Sequence, residues 1–277
     1  MCNLNIIIRK KKNQTLTPFF QSVSAHSYAR NDDGDGLYFG SNGKIVKSLH
    51  KLDYYKYENE IETSNVVFSF QRLATSGKTL DYVQPFRSKE FIFMHNGVVN
   101  SFLKKEGSDS FGFFQDFIKK FDESIVDKRD NKIVGVIKEM LEGKVSDWYS
   151  MILYDLVEKK LYYWKNESPQ IYFFRYNNLL FITTCEENQK FLNMTGKGKL
   201  REIIIEDNVI YKINPTKKKI RIIKVGEIEK EEEELSKDDD DEDSKVEERE
   251  RMGYTEEEQK ELDEFIREQN LGDDEDE

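Results

Sequence analysis

The chain has 277 residues, of which 37% are hydrophobic and 35% are charged, and its formal net charge is −11. This length suits one large domain or two small ones, and no apolar run approaches the roughly 20 residues that span a membrane. Two cysteines exclude a disulfide framework, so we expect a reducing, cytoplasmic compartment. The apolar segment at the start is too short for a signal peptide, and we expect none.

The charge is divided unevenly along the chain. Residues 227–277 contain 27 acidic and 7 basic residues, whereas residues 1–226 contain 27 acidic and 36 basic ones. Such an acidic segment cannot bury enough apolar surface to fold, so we predict a domain at 2–226 and a largely disordered tail at 227–277. A thin apolar stripe behind Thr255 predicts one short helix at 254–269. The tail could bind a partner, mask the basic body or only keep the protein in solution.

The first half of the chain alternates short strands and helices. Apolar residues 4–8 predict a buried strand, and residues 15–29 predict a helix with Pro18 near its start. A second helix is predicted at 52–60. Alternating patterns between turn residues predict four more strands, at 37–39, 44–46, 65–70 and 91–94. The last strand is expected to end abruptly at His95-Asn96-Gly97.

The second half predicts helices followed by an antiparallel sheet. Ser108-Asp109-Ser110 is typical of a helix start, and phenylalanines at helical spacing follow it. Residues 133–141 predict a further helix. The apolar period then changes to two, which predicts strands at 150–156, 160–165, 170–175, 178–184, 201–205, 209–213 and 220–225. This order predicts an α+β domain with large sheets.

Cys2 follows the initiator Met1, which aminopeptidases remove before a small residue. Removal would leave a thiol and a free α-amino group on one residue. Their ordinary pKa values, about 8.5 and about 7.7–8.0, allow the neutral amine to take the thiol proton near neutral pH. Cys2 is therefore a candidate nucleophile that needs no separate histidine as its base.

Four short motifs follow one another along the chain: Met1-Cys2, residues 72–77 (Arg-Leu-Ala-Thr-Ser-Gly), His95-Asn96-Gly97 and Ser108-Asp109-Ser110, with a Pro-Phe loop at 85–86. In this order they resemble the class II glutamine amidotransferase domain, an N-terminal-nucleophile (Ntn) hydrolase, over about residues 2–200. The resemblance implies a four-layer αββα sandwich of two antiparallel sheets. It also implies an enzyme that releases ammonia from the side-chain amide of glutamine.

The resemblance assigns a role to each matching residue. Cys2 would attack the amide carbon and form a γ-glutamyl thioester, while Asn96 and the backbone N–H of Gly97 would stabilise the oxyanion. Arg72, with Thr75 and Ser76, would bind the α-carboxylate, which a guanidinium fork matches in shape. Asp109 would bind the α-ammonium, and Arg30 would support the site. Read alone, Asn96-Gly97 would be an ordinary turn and Asp109 a helix cap.

Several residues depart from the family pattern. Phe70 and Leu73 stand where the family often has His and Trp, Ser76 where it often has His, and Phe111 where it often has Glu. The substrate is therefore glutamine or another γ-glutamyl amide or peptide. A binding protein that keeps the fold without catalysis is a further alternative. Ammonia would pass to a separate synthase partner.

The sequence predicts no metal site, cofactor or nucleic-acid binding. The three histidines lack metal-ligand spacing, and the turn at 31–36 has Asn42 where a calcium loop needs a bidentate Glu. The basic residues of the body are scattered, without an aromatic and basic motif.

Overall fold

A computed structural model describes residues 2–12, 14–74, 77–102, 107–142, 147–167, 170–215 and 220–229. Thr75, Ser76 and the helix predicted at 254–269 lie outside these ranges, as does nearly all of the acidic tail. The division of the chain at residue 226 therefore stays a prediction. No α-helix in the described ranges is long and apolar enough to cross a membrane.

Thirteen strands lie within the described residues, and their bounds follow. They are β1 (Asn3–Arg9), β2 (Asp35–Phe39), β3 (Ile45–Ser48), β4 (Val66–Gln71), β5 (Phe86–Arg87), β6 (Phe91–Val98), β7 (Trp148–Asp155), β8 (Lys160–Lys165), β9 (Tyr172–Tyr176), β10 (Leu179–Thr183), β11 (Leu200–Ile203), β12 (Val209–Ile213) and β13 (Ile222–Glu227).

Four α-helices accompany these strands in the same ranges: α1 (Thr17–Tyr28), α2 (Glu58–Thr63), α3 (Asp109–Glu123) and α4 (Arg129–Leu141). The helix predicted at 52–60 is instead a 3₁₀ turn at Tyr54–Tyr57 followed by α2. Asp53 begins this turn, because its side chain accepts a hydrogen bond from the backbone N–H of Tyr55 at 3.2 Å.

The strands form two antiparallel sheets. The first has the order β11-β9-β10-β1-β4-β2-β3, and the second has the order β13-β12-β8-β7-β6-β5. β1 therefore lies inside the first sheet, with β10 on one side and β4 on the other. All seven residues of β1 are buried, so both faces of the strand are covered. This explains the unbroken apolar run at residues 6–8.

The space between the two sheets is filled by alternate residues of their strands. From the first sheet, β1 contributes Leu4, Ile6 and Ile8. From the second sheet, Ile92 and Met94 of β6 pack into the same core. Because side chains alternate across a strand, even-numbered residues of β1 and β6 face this inter-sheet space.

Helices cover the outer face of each sheet. α1 packs Phe19, Phe20 and Val23 on the first sheet. On the second sheet, α3 packs a phenylalanine-rich face and α4 packs an aliphatic one. The layers are thus helix, sheet, sheet and helix. The predicted α+β class and four-layer αββα sandwich are confirmed.

β6 differs from its prediction in one respect that matters for the site. It does not end at His95 but continues through Asn96 and Gly97 to Val98, paired with β7. Asn96 lies opposite Ser150 and Gly97 opposite Tyr149. The Asn-Gly pair is therefore part of a strand, because the pairing with β7 overrides its local preference for a turn.

An ion pair between buried Arg9 and partly exposed Glu62 connects β1 to the start of α1 and the end of α2. Arg9 is fully buried, and its guanidinium donates to the backbone carbonyls of Ser64, Gln14 and Ile61 at 2.8, 2.8 and 3.0 Å. It also lies 3.3 Å from the Glu62 carboxylate. Glu62 in turn accepts hydrogen bonds from the N–H and hydroxyl groups of Thr17 at the start of α1, both at 2.8 Å.

We predict that Arg9→Met lowers the free energy of unfolding by about 3 kcal/mol, because it leaves a partly buried carboxylate and several buried carbonyls without their donor. Urea denaturation measures this change. The control is Arg201→Met, at an exposed position on β11, which should change stability by less than about 0.5 kcal/mol. A loss below about 1 kcal/mol for Arg9→Met would show that water replaces its contacts.

Candidate active site

Cys2 lies immediately before β1, on the side that faces the second sheet. It continues the alternation of Leu4 and Ile6 and packs, partly buried, against the inter-sheet core. Its Sγ lies 3.4 Å from both the backbone N and the backbone O of Leu73. The Thr184 hydroxyl donates to the Cys2 carbonyl at 3.2 Å. Burial raises the pKa of the Cys2 thiol, so the thiol is protonated at neutral pH.

Arg72 follows β4 directly and lies beside Cys2. The register pairs Asn3 with Gln71, and one further step along both strands brings Cys2 next to Arg72. Arg72 is only 5% exposed. Its Nη1 donates to the Gly77 carbonyl at 2.8 Å, and its guanidinium lies 5.9 Å from the centre of the Tyr82 ring. Its positive charge acts to lower the pKa of the Cys2 thiol.

The turn before β2 holds the segment that follows Arg72. The Asp33 carboxylate accepts a hydrogen bond from the backbone N–H of Ala74 at 2.8 Å and pairs with Lys78 at 2.6 Å. The hydrogen bond from Lys78 is the main reason that the pKa of Asp33 is lowered. This turn, which superficially resembles a calcium loop in the sequence, is thus an anchor for the loop beside Cys2.

Asn96 is a buried amide that points into the inter-sheet space. It continues the alternation of Ile92 and Met94 on β6, and β1 and β6 pack against each other across the sandwich. Asn96 is 2% exposed, and its Nδ2 has no hydrogen-bond partner among the residues that the structure describes. A buried amide donor without an acceptor costs about 1–3 kcal/mol. The group is therefore available to a bound acceptor.

Gly97 has a conformation that other residues adopt only under strain. Its φ is +132°, and a Cβ at this position would lie 2.1 Å from the carbonyl oxygen of Trp148. Only glycine fits here, because both the backbone angle and the approach of β7 exclude a side chain. The requirement also fixes the direction of the peptide that joins Asn96 to Gly97.

Asp109 is the first residue of α3, and its carboxylate is held by two backbone donors. Its Oδ2 accepts from the N–H of Val99 at 2.9 Å, and its Oδ1 accepts from the N–H of Ser110 at 2.7 Å. Its negative charge acts to raise the pKa of the Cys2 thiol. Asp109 and Arg72 are thus both close enough to Cys2 to act on it, with opposite signs.

His95 makes hydrogen bonds next to the site, although the sequence assigned no role to it. It lies on the opposite face of β6, where its Nδ1 is 2.7 Å from the Ser110 hydroxyl. The Gln84 side chain binds both the backbone N–H and the carbonyl of His95, at 2.6 and 3.1 Å. Burial lowers the pKa of His95 to about 4, so the imidazole is neutral at pH 7. Only the folded chain brings Gln84, His95 and Ser110 together.

The other residues singled out in the sequence have different surroundings. Thr75 and Ser76 lie outside the described residues. Arg30 is exposed just after α1, and its guanidinium has no hydrogen bond or ion pair within the described ranges. Phe111 packs its ring 6.0 Å from that of Tyr82, which lies over Arg72. No group of three His, Cys, Asp or Glu in the described ranges could hold a metal.

Comparisons with known proteins identify the fold. No family model matches the sequence, and no curated protein matches it. Among solved structures, the chain is similar to the glutamine phosphoribosylpyrophosphate (PRPP) amidotransferase from B. subtilis, at 14% identity and a TM-score of 0.56. It is also similar to a structure described as the allosteric regulatory enzyme of purine biosynthesis, at 15% identity and a TM-score of 0.58.

These similarities have a defined extent. They cover 81% and 80% of this chain, but only 49% of each of the other two chains. This chain therefore matches about half the length of those proteins. At such low identity the likeness shows the fold, which is that of a glutamine amidotransferase structure.

We predict that Gly97→Ala lowers the free energy of unfolding by about 2 kcal/mol or more, because the new Cβ meets the β7 backbone at a strained φ. The matched control is Gly135→Ala in α4, where a Cβ meets nothing within 4 Å. This control should raise the free energy of unfolding by about 1 kcal/mol, since alanine favours helix. Equal effects of the two substitutions in urea denaturation would contradict the prediction.

Proposed function

We propose that this protein is a glutamine amidotransferase-type amidohydrolase in which Cys2 attacks the side-chain amide of glutamine. The observation that carries the proposal is the Nδ2 of Asn96. This donor is buried, has no partner among the described residues and faces the same inter-sheet space as Cys2. A preformed donor of this kind suits an oxyanion that exists only during the reaction.

The proposed reaction begins after Met1 has been removed. The free α-amine of Cys2 takes the thiol proton, and the thiolate attacks the amide carbon of glutamine. The resulting oxyanion accepts hydrogen bonds from Asn96 Nδ2 and the N–H of Gly97. Collapse of this intermediate breaks the C–N bond, and the proton held by the amine leaves with ammonia. Water then hydrolyses the γ-glutamyl thioester, which yields glutamate and the free thiol.

The charges around Cys2 support an amino-acid substrate. Arg72 is a planar cation suited to the α-carboxylate, and Asp109 is an acceptor suited to the α-ammonium. Both act electrostatically on the thiol, so both lie near the place where the substrate amide would be. Thr75 and Ser76 are proposed to add contacts to the carboxylate, and Arg30 is proposed to support the site.

The burial of the thiol makes the base important. Burial raises the pKa of Cys2, so little thiolate forms at pH 7 without a proton acceptor. The α-amine exposed by the removal of Met1 is the proposed acceptor. A free thiol with this role requires a reducing compartment, which is why we propose a cytoplasmic location. Ammonia would then be consumed by a separate synthase.

We predict that the purified full chain releases ammonia and glutamate from glutamine, and that Cys2→Ala abolishes this activity. Cys185→Ala is the matched control, at the other partly buried cysteine, and should retain activity. Intact mass should show a chain lacking one methionine residue. Equal rates for wild type and Cys2→Ala would remove Cys2 from the mechanism. An inactive chain that retains Met1 would favour a binding protein instead.

We predict that Asn96→Ala lowers kcat for glutamine by about 10²–10³ with little change in KM, because the lost donor acts mainly in the transition state. The free energy of unfolding should fall by less than about 1 kcal/mol, since the removed Nδ2 has no partner in the described protein. The control, Asn59→Ala at an exposed position in α2, should leave kcat unchanged. A parallel loss of kcat and stability would indicate a structural role for Asn96.

A further inference from the structure

A closed circuit of hydrogen bonds surrounds the Asn96-Gly97 pair. On one side, His95 Nδ1 lies 2.7 Å from the Ser110 hydroxyl. On the other side, Asp109 Oδ2 accepts from the N–H of Val99 at 2.9 Å. Ser110 and Asp109 are joined by the chain and by two contacts to Asp109 Oδ1, one from the Ser110 N–H at 2.7 Å and one from its hydroxyl at 3.3 Å. The circuit ties the start of α3 to both sides of the Asn-Gly pair.

The protonation state of His95 determines which groups donate and which accept in these hydrogen bonds. His95 is neutral at pH 7, so one ring nitrogen is a donor and the other an acceptor. His95 Nε2 is buried and has no partner within the described part of the chain. A proton on Nδ1 avoids an orphaned buried N–H, and we assign this tautomer on that ground. His95 then donates to the Ser110 oxygen, and the Ser110 hydroxyl donates to Asp109.

His95 is not placed to act as a base for Cys2. Its side chain lies on the outer face of β6, toward α3, whereas Asn96 and Cys2 face the inter-sheet space. Its backbone is fixed from both sides by Gln84, at 2.6 and 3.1 Å. A rigid, neutral and buried imidazole is suited to hold another group in place.

We propose that His95 is a positioning residue that acts through Ser110 to fix the Asp109 carboxylate relative to Asn96-Gly97. The proposal rests on the proposed function, in which Asp109 binds the substrate α-ammonium. The same hydrogen bonds hold Asp109, which accepts the α-ammonium, and the Asn96-Gly97 pair, which donates to the oxyanion. The α-ammonium and the reacting amide of one substrate are therefore bound in a fixed relation to each other. His95 thereby determines the preference for α-amino acids over compounds that lack the amino group.

The test compares glutamine with glutaric acid monoamide, which is glutamine without the α-amino group. The measured quantity is the ratio of kcat/KM for the two substrates. His95→Leu removes the donor to Ser110 and should reduce this ratio by about tenfold, mainly through a higher KM for glutamine. Ser110→Ala breaks the same circuit from its other end and should reduce the ratio similarly. His95→Asn can place an amide donor near the position of Nδ1 and should keep the ratio within about threefold of wild type.

Binding measurements separate this proposal from the catalytic one. Calorimetry with L-glutamate and glutarate gives the corresponding affinity ratio without any reaction. If wild type prefers glutamate but releases no ammonia, the catalytic proposal is wrong, while the effects of His95→Leu and Ser110→Ala on the affinity ratio still test the positioning role. An unchanged ratio in both variants, equal behaviour of His95→Asn and His95→Leu, or no preference in wild type would each overturn the proposal.

Discussion

Strand β1 is buried on both of its faces, and only one of the two faces carries asparagines. Leu4, Ile6 and Ile8 fill the apolar space between the sheets, whereas Asn3, Asn5 and the apolar Ile7 lie on the other face. A one-residue slip of β1 would place Asn3, Asn5 and Arg9 in the apolar space between the sheets, so its register is strongly determined. Cys2 comes one residue before this strand. The register that buries β1 correctly therefore also directs the thiol toward the inter-sheet space.

The two asparagines of β1 are buried at low cost because hydrogen bonds satisfy their side chains. Asn5 donates to Gln71 at 3.3 Å and accepts from Thr183 and Asn188 at 2.8 and 2.9 Å. Gln71 continues the network to the buried carboxylate of Asp35, which burial alone would make costly. The network joins the strands on both sides of β1. It holds the backbone next to Cys2 with directional bonds, which apolar packing alone does not supply.

The sequence determined much of this fold, and the misses have a common cause. The apolar period of residues 4–8 and the helical stripe from Phe113 onward predicted β1 and α3, because local periodicity reports the buried face. The four-layer sandwich was predicted from the family resemblance and not from local periodicity. The continuation of β6 through Gly97 was missed, since it depends on β7, more than fifty residues further along the chain. The contacts of Gln84 with His95 and the Tyr82 ring over Arg72 were also missed, because local periodicity does not report contacts that an irregular loop makes.

Several buried polar atoms have no hydrogen-bond partner among the described residues, and Asn96 Nδ2 is one that lies in the candidate active site. Asp35 and Arg9 have several hydrogen-bond partners each, whereas Asn96 Nδ2 has none among the described residues. An unpartnered buried donor lowers the free energy of unfolding, a cost that the proposed catalytic role of Asn96 accounts for. Because Gly97 fixes the adjoining peptide and the circuit through Asp109 fixes the strand, Asn96 has little freedom to relax. A bound acceptor would recover the missing hydrogen bond, and in the proposed reaction that acceptor is the oxyanion.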